Sequence, residues 1–152
     1  MPKAEVRLSE QGDGNALAPN LRLADRREVI AYTGESPSNG VERARYQSDE
    51  CWTVTLEDEP IAMFGYCLDS DDSVNVWMLG SDKIQDIRWQ FLRESKTWLK
   101  KLMKNYGRAW AVADVRNTVH KDWYEWLGFD IITTINAGPF NLPFYHIEYM
   151  KD

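Results

Sequence analysis

The chain is poor in the residues that build covalent or metal-held scaffolds. It has two cysteines, Cys51 and Cys67, and two histidines, His120 and His146, among 152 residues. Two cysteines cannot staple a disulfide framework, and a reducing compartment is the simpler reading. Two isolated histidines give no zinc-site spacing, so no metal is expected. No apolar run approaches the length of a membrane span, and no membrane role is expected. Met1-Pro2-Lys3-Ala4-Glu5 leads into charged sequence without a signal-peptide pattern. A net charge of −6 argues against general nucleic-acid binding. Long Pro/Gly/Ser linkers and internal repeats are also missing, so residues 1–152 read as a single domain, with a strand and a flexible segment over 1–20.

What is present is aromatic. Seven Trp, seven Tyr and five Phe supply a core that a disordered chain would lack. Charge is uneven: residues 1–76 hold 7 basic and 15 acidic groups, and residues 77–152 hold 11 and 9. Such asymmetry orients a partner at most.

A short strand is expected over 5–8, followed by a loose, glycine-bearing stretch over 9–20. Asp25 and Glu28 have the spacing of an N-capping pair, and Gly34 is a good stop, which predicts a helix between them. A second helix is expected over 40–46. Residues 51–56, 61–67 and 74–79 are rich in β-branched and aromatic side chains, with tight turns between them: an antiparallel meander. Apolar residues at 84, 87, 91, 98 and 102 line one face of a long helix over 83–105. A buried strand over 109–113, a helix over 118–127 and strands over 129–135 and 144–150 follow. The predicted order is β-α-α-β-β-β-α-β-α-β-β, an α/β (α+β) fold with a mixed, mostly antiparallel sheet flanked by helices.

The candidate site residues have plain structural readings. Asn117 caps the 118–127 helix, and Gly128 ends it. Tyr124 packs beside Trp123 and Trp126. His120 and His146 read as structural or solvated, and Cys51 and Cys67 as buried thiols. The row Arg93, Lys96, Lys100, Lys101 and Lys104 reads as a solvated helix face. Asp69, Asp71 and Asp72 form a charged turn, without the spacing of a calcium loop.

The series Asn117, Tyr124, Glu125, Leu127, Gly128 and Phe129 resembles a motif of the GNAT superfamily of N-acetyltransferases. The resemblance implies a GNAT-like fold. In active members the matching tyrosine protonates the coenzyme A thiolate, so Tyr124 is the implied general acid. The pantetheine arm would lie along the main chain of Trp77, Met78 and Leu79, with Lys83, Arg88 and Asn117 also at the cofactor. Active members hold the pyrophosphate in an Arg/Gln-x-x-Gly-x-Gly/Ala loop at the long helix's start, where bare amides bind anions. Here that stretch is Leu79-Gly80-Ser81-Asp82-Lys83-Ile84-Gln85-Asp86-Ile87-Arg88. It lacks the later glycines and adds Asp82 and Asp86. Ser73–Leu79 also lacks the carboxylate that many members use as a base. No catalytic residue and no cofactor are therefore expected; acetyl-coenzyme A enters only if the enzyme reading holds.

Segments 21–29, 48–52, 59–65, 76–80, 117–120 and 143–145 resemble the internal virion protein A family of short-tailed bacteriophages. That likeness implies a virion or assembly protein with a degenerate, non-catalytic GNAT-like fold. It would bind other virion or tail-machinery proteins, and reside in the virion and, during assembly, in the host cytoplasm. Two alternatives are a divergent acetyl-coenzyme A-dependent N-acetyltransferase and a phage-encoded inhibitor docking on a host protein through an acidic face.

Overall fold

Alternating burial along the strands sets the architecture. In β4 (Ser73–Gly80), Val74, Val76 and Met78 enter one core, while Leu79 enters another on the opposite face. That period-2 pattern requires cover on both sides of the sheet. The computed structural model describes residues 4–151 and supplies that cover. The order is β1 (Ala4–Leu8), α1 (Asp13–Leu17), a 3-10 turn (Ala18–Asn20), α2 (Leu23–Thr33), α3 (Pro37–Gln47), β2 (Glu50–Leu56), β3 (Glu59–Ser70) and β4. A second 3-10 turn (Asp82–Ile87), α4 (Arg88–Leu102), β5 (Arg108–Asp114), α5 (Thr118–Leu127), β6 (Asp130–Ala137) and β7 (Leu142–Met150) complete it. Seven strands form one sheet in the order β1-β2-β3-β4-β5-β7-β6. All neighbours are antiparallel except β4 and β5. The expected mixed α/β fold is the one observed.

The larger core joins the sheet to α4 and α5 through Phe91, Leu99, Leu102, Trp123 and Leu127. Ala109, Ala111 and Ala113 present the inner face of β5 and are fully buried. The smaller core joins Met63 and Leu79 to Leu17, Val29 and Val41 of α1, α2 and α3.

Three differences from expectation bear on the site and its surroundings. The stretch 9–20 is not a loop: it holds α1, whose Leu17 is fully buried. Asp13 anchors it by accepting hydrogen bonds from Arg7 at 2.8 Å and from the Thr53 hydroxyl at 2.7 Å. The long helix opens as a 3-10 turn, whose three-residue period puts Ile84 and Ile87 together in the core. Asp25 is not an N-cap. Helix α2 starts earlier, with Arg22 at its N-cap position and no side-chain cap bond. Asn117 does cap α5, accepting from the His120 amide at 3.2 Å, and Gly128 ends it at φ 107°.

Candidate functional site

The parallel pair β4 and β5 is registered only from Ser73↔Arg108 to Asn75↔Trp110. Beyond that the strands diverge, and the sheet opens as a V toward Gly80 and Asp114. An open V exposes strand-end amides, which must find partners. In this chain α2 supplies them from one face of the sheet. Asp25 Oδ2 accepts from the Gly80 amide at 2.8 Å, and Glu28 Oε1 accepts from the Asp114 amide at 2.7 Å. Asp25 and Glu28 lie three residues apart, so they share a face of α2.

Helix α5 reaches the same gap from the opposite face. His120 lies between the two carboxylates, with Nδ1 2.8 Å from Glu28 and Nε2 3.4 Å from Asp25. The Asn117 side chain donates to Asp25 Oδ1 at 2.9 Å. Arg22 donates to Asp25 Oδ2 at 2.8 Å. Asp25 is 0% exposed and His120 1%. With His120 protonated, two cations face two anions, the arrangement that buried charges require.

Burial alone pushes the His120 pKa down, but the Asp25 and Glu28 charges outweigh it and raise it to about 10. Burial pushes the Asp25 carboxyl up, and the opposing His120 and Arg22 charges hold it well below the usual carboxylate range. The two carboxylates favour the imidazolium form, held by charge proximity, since neither ring nitrogen makes a hydrogen bond of good geometry. A general base needs a free lone pair, which the imidazolium form lacks.

Tyr124 stands beside this cluster, its ring 6.1 Å from His120 and 4.8 Å from Trp123. It is 2% exposed. Burial, reinforced by Glu28 and Asp25, pushes its phenol far up. Tyr124 and Glu28 help line a cavity of about 190 Å³ that also touches Trp77, Met78 and Leu79. Drug-sized ligand pockets usually exceed about 300 Å³. A larger groove of about 570 Å³, open to solvent, lies between α4 and strands β1–β3 among Trp52, Phe64, Phe91 and Trp98, at the edge of the main core.

The remaining candidates disperse. Trp77 donates its indole N–H to Ser48 at 2.7 Å, Met78 and Leu79 are buried on opposite faces, and Asn117 belongs to the cluster. Lys83 pairs with Glu59 on the surface, and the Arg88 guanidinium lies over Trp89, 5.3 Å from its ring centre. Ser81 takes the Lys83 amide at 3.2 Å, and Ile84 packs so closely on Gly80 that a Cβ there would clash. Asp82 and Asp86 are exposed at this turn. The coenzyme A pyrophosphate is therefore not matched by these residues: the helix start bears carboxylates, and part of its amide supply is already bonded.

His146 contacts Glu148 at 2.8 Å, away from the gap. Bonds from Arg108 first, then His146, bring the Glu148 pKa down to about 2. Cys51 is pushed up to about 11 by burial, so the thiol is inert at neutral pH. Asp72 accepts from the Gly107 amide at 2.7 Å, and Asp69 accepts from Trp110 at 3.1 Å, so this acidic turn docks on β5. Among the described residues, no group of three His, Cys, Asp or Glu side chains is placed to hold a metal. Among them, too, no helix is long and apolar enough to cross a membrane.

The sequence reading missed the cluster. Asp25 and Glu28 already had a local explanation as a cap, and His120 looked isolated. Their available signal was the shared helix face of two carboxylates at i and i+3.

No family model and no curated protein sequence matches the chain. Solved structures do match in fold. A GNAT-family acetyltransferase from Bacillus anthracis superposes with a TM-score of 0.68 at 17% identity, covering 99% of this chain and 98% of that one. A GNAT-family acetyltransferase from Streptococcus pneumoniae gives 0.66 at 12% identity, covering 99% and 100%. An aminoglycoside acetyltransferase in complex with coenzyme A gives 0.66 at 15% identity, covering 98% and 95%. At these identities the likeness establishes a GNAT-like fold and leaves the activity to the site.

Proposed function

We propose that this chain is a bacteriophage internal virion or assembly protein that uses a GNAT-like fold without acetyl transfer. It acts by binding other virion or tail-machinery proteins. One observation carries the non-catalytic part: Asp25 and Glu28 hold the Gly80 and Asp114 amides at the wide end of the gap. With His120 and Asn117 they occupy the wide end of the space between the diverging strands, beside the cavity of about 190 Å³ that β4 and Val112 line. A cofactor arm threading that gap would have to break a buried, charge-balanced cluster. The virion part rests on the likeness of segments 21–29, 48–52, 59–65, 76–80, 117–120 and 143–145 to the internal virion protein A family.

A second reading, a divergent acetyltransferase, draws on a different observation. Tyr124 reaches the cavity of about 190 Å³ alongside Trp77, Met78 and Leu79. On that reading Tyr124 would donate a proton to a departing thiolate.

Quantitative mass spectrometry of washed virions tests the assembly role. The expected result is peptides of this chain at a fixed ratio to the tail-machinery proteins. Their absence from washed particles overturns the virion assignment.

A further inference from the structure

The outer face of α4 carries charge that the fold does not use. Arg93, Lys96 and Lys100, with Lys104 in the turn after the helix, recur at spacings of three and four residues, and all are exposed. That spacing aligns them in one stripe. It points away from the buried Phe91, Ser95, Leu99 and Leu102. Trp89 heads the same stripe, which runs about 17 Å from Trp89 to Lys100 at ~1.5 Å per residue.

The stripe is not neutralised. Among the described residues, Arg93, Lys96, Lys100 and Lys104 are in no ion pair, whereas Arg7, Arg22, Arg43, Arg45, Arg108 and Arg116 all are. Carboxylates are not scarce, since the chain has 24 acidic residues for 18 basic ones. They are placed elsewhere. Glu94 lines the groove on the other flank of α4, Glu125 pairs with Lys121 at 2.6 Å, and Asp82 and Asp86 lie in the turn before the helix. Helix α4 itself has five basic residues and one acidic. The net charge of −6 therefore belongs to the rest of the molecule.

Two indoles accompany the stripe. Trp89 is 72% exposed, with the Arg88 guanidinium over its ring. Trp126 of α5 is 42% exposed, and the Lys96 ammonium lies 4.1 Å from its ring centre. One cation per turn, about 5.4 Å apart, suits a repeating polyanion better than a lone carboxylate. Aromatic faces beside such a row are what single-stranded nucleic acids use, with phosphates on the cations and bases on the rings.

We propose that the outer face of α4 is a binding site for single-stranded nucleic acid. Arg93, Lys96, Lys100 and Lys104 take successive backbone phosphates, and Trp89 stacks a base. The contact is local: the acidic remainder of the chain opposes general nucleic-acid binding.

Fluorescence anisotropy of a labelled oligothymidylate of about 16 nucleotides, titrated with the full chain over a salt series, tests this. Four phosphate contacts to a single strand predict a slope of about −2.8 for log K against log[salt], a loss of roughly 50-fold between about 50 and 200 mM. R93Q/K100Q should bring the slope to about −1.4. R27Q/K151Q removes the same charge from exposed positions outside the stripe and should leave the slope unchanged. W89A should weaken binding roughly fivefold or more at an unchanged slope. No saturable binding at about 50 mM salt overturns the proposal. So does an equal response of the two double variants, or an unaltered affinity in W89A. Displacement by polyglutamate as effective as by unlabelled oligothymidylate also overturns it and identifies an acidic protein surface as the partner. Circular dichroism confirms that each variant is folded before it is scored.

Discussion

Asp25→Asn is expected to remove about 3–5 kcal/mol of folding stability, the usual cost of breaking a buried ion pair from one side. The reason is specific to this site. The Asp25 oxygens face donors: the Gly80 amide, the Asn117 amide group, the Arg22 guanidinium and the His120 ring. An asparagine side chain replaces one acceptor with an NH2, so a donor must face a donor in a region with no water access. It also leaves Arg22 and His120 with Glu28 as the remaining nearby buried anion. Total stabilities of about 5–15 kcal/mol make this a large share. Urea denaturation should show the midpoint falling with an unchanged slope, and Tm should drop by roughly 10 °C. A loss below about 1 kcal/mol would mean that the cluster does not hold the gap closed.

The second large effect is on pH dependence. His120 has a folded pKa of about 10 against an ordinary value of 6.5. Its folded-state value is raised, so its contribution is complete below pH 6.5 and is lost as pH rises toward 10. The limiting slope is about 1.4 kcal/mol per pH unit. Asp25 has the opposite sign. Its carboxyl is held low, so its contribution is complete above its ordinary 3.8 and is lost as pH falls through the depressed value. Stability should therefore peak between these limits and decline from pH 7 to 9. Cys51, raised from 9.0, and Tyr66, raised from 10.0, steepen the decline only above pH 9. His120→Gln should lower the peak and flatten the 7–9 segment. Chemical denaturation at half-unit pH steps reads both, and a wild-type profile flat from pH 7 to 9 would contradict a buried imidazolium.

Most of the fold was legible because its signals are local. The β2–β4 meander shows as β-branched and aromatic runs between acidic turns, and α5 as a cap at Asn117 and a stop at Gly128. Helix α1 was hidden because Gly12 and Gly14 read as loop residues. Its stability comes from Asp13 gripping Thr53, 40 positions away. The site was hidden for the same reason. Asp25 and Asn117 are 92 positions apart, and only the sheet's divergence between β4 and β5 brings α2 and α5 through to each other. The missing glycines after Gly80 were visible in the sequence, but they show only that the pyrophosphate loop is altered. The side chains that occupy the wide end of the gap were legible only in three dimensions.

On the proposed non-catalytic reading, the same gap is where this fold, shared with acetyltransferases, departs from a cofactor site. Asp25 and Glu28 hold the strand-end amides at its wide end, and the nearby helix start bears Asp82 and Asp86 in place of an anion cradle.

Calorimetric titration of acetyl-coenzyme A into the full chain tests the closed gap most directly. The account predicts no saturable heat up to about 1 mM ligand, a ceiling of roughly −4 kcal/mol in binding free energy. Saturable binding at micromolar concentration, weakened by Tyr124→Phe, would contradict it and establish the gap as a working cofactor site.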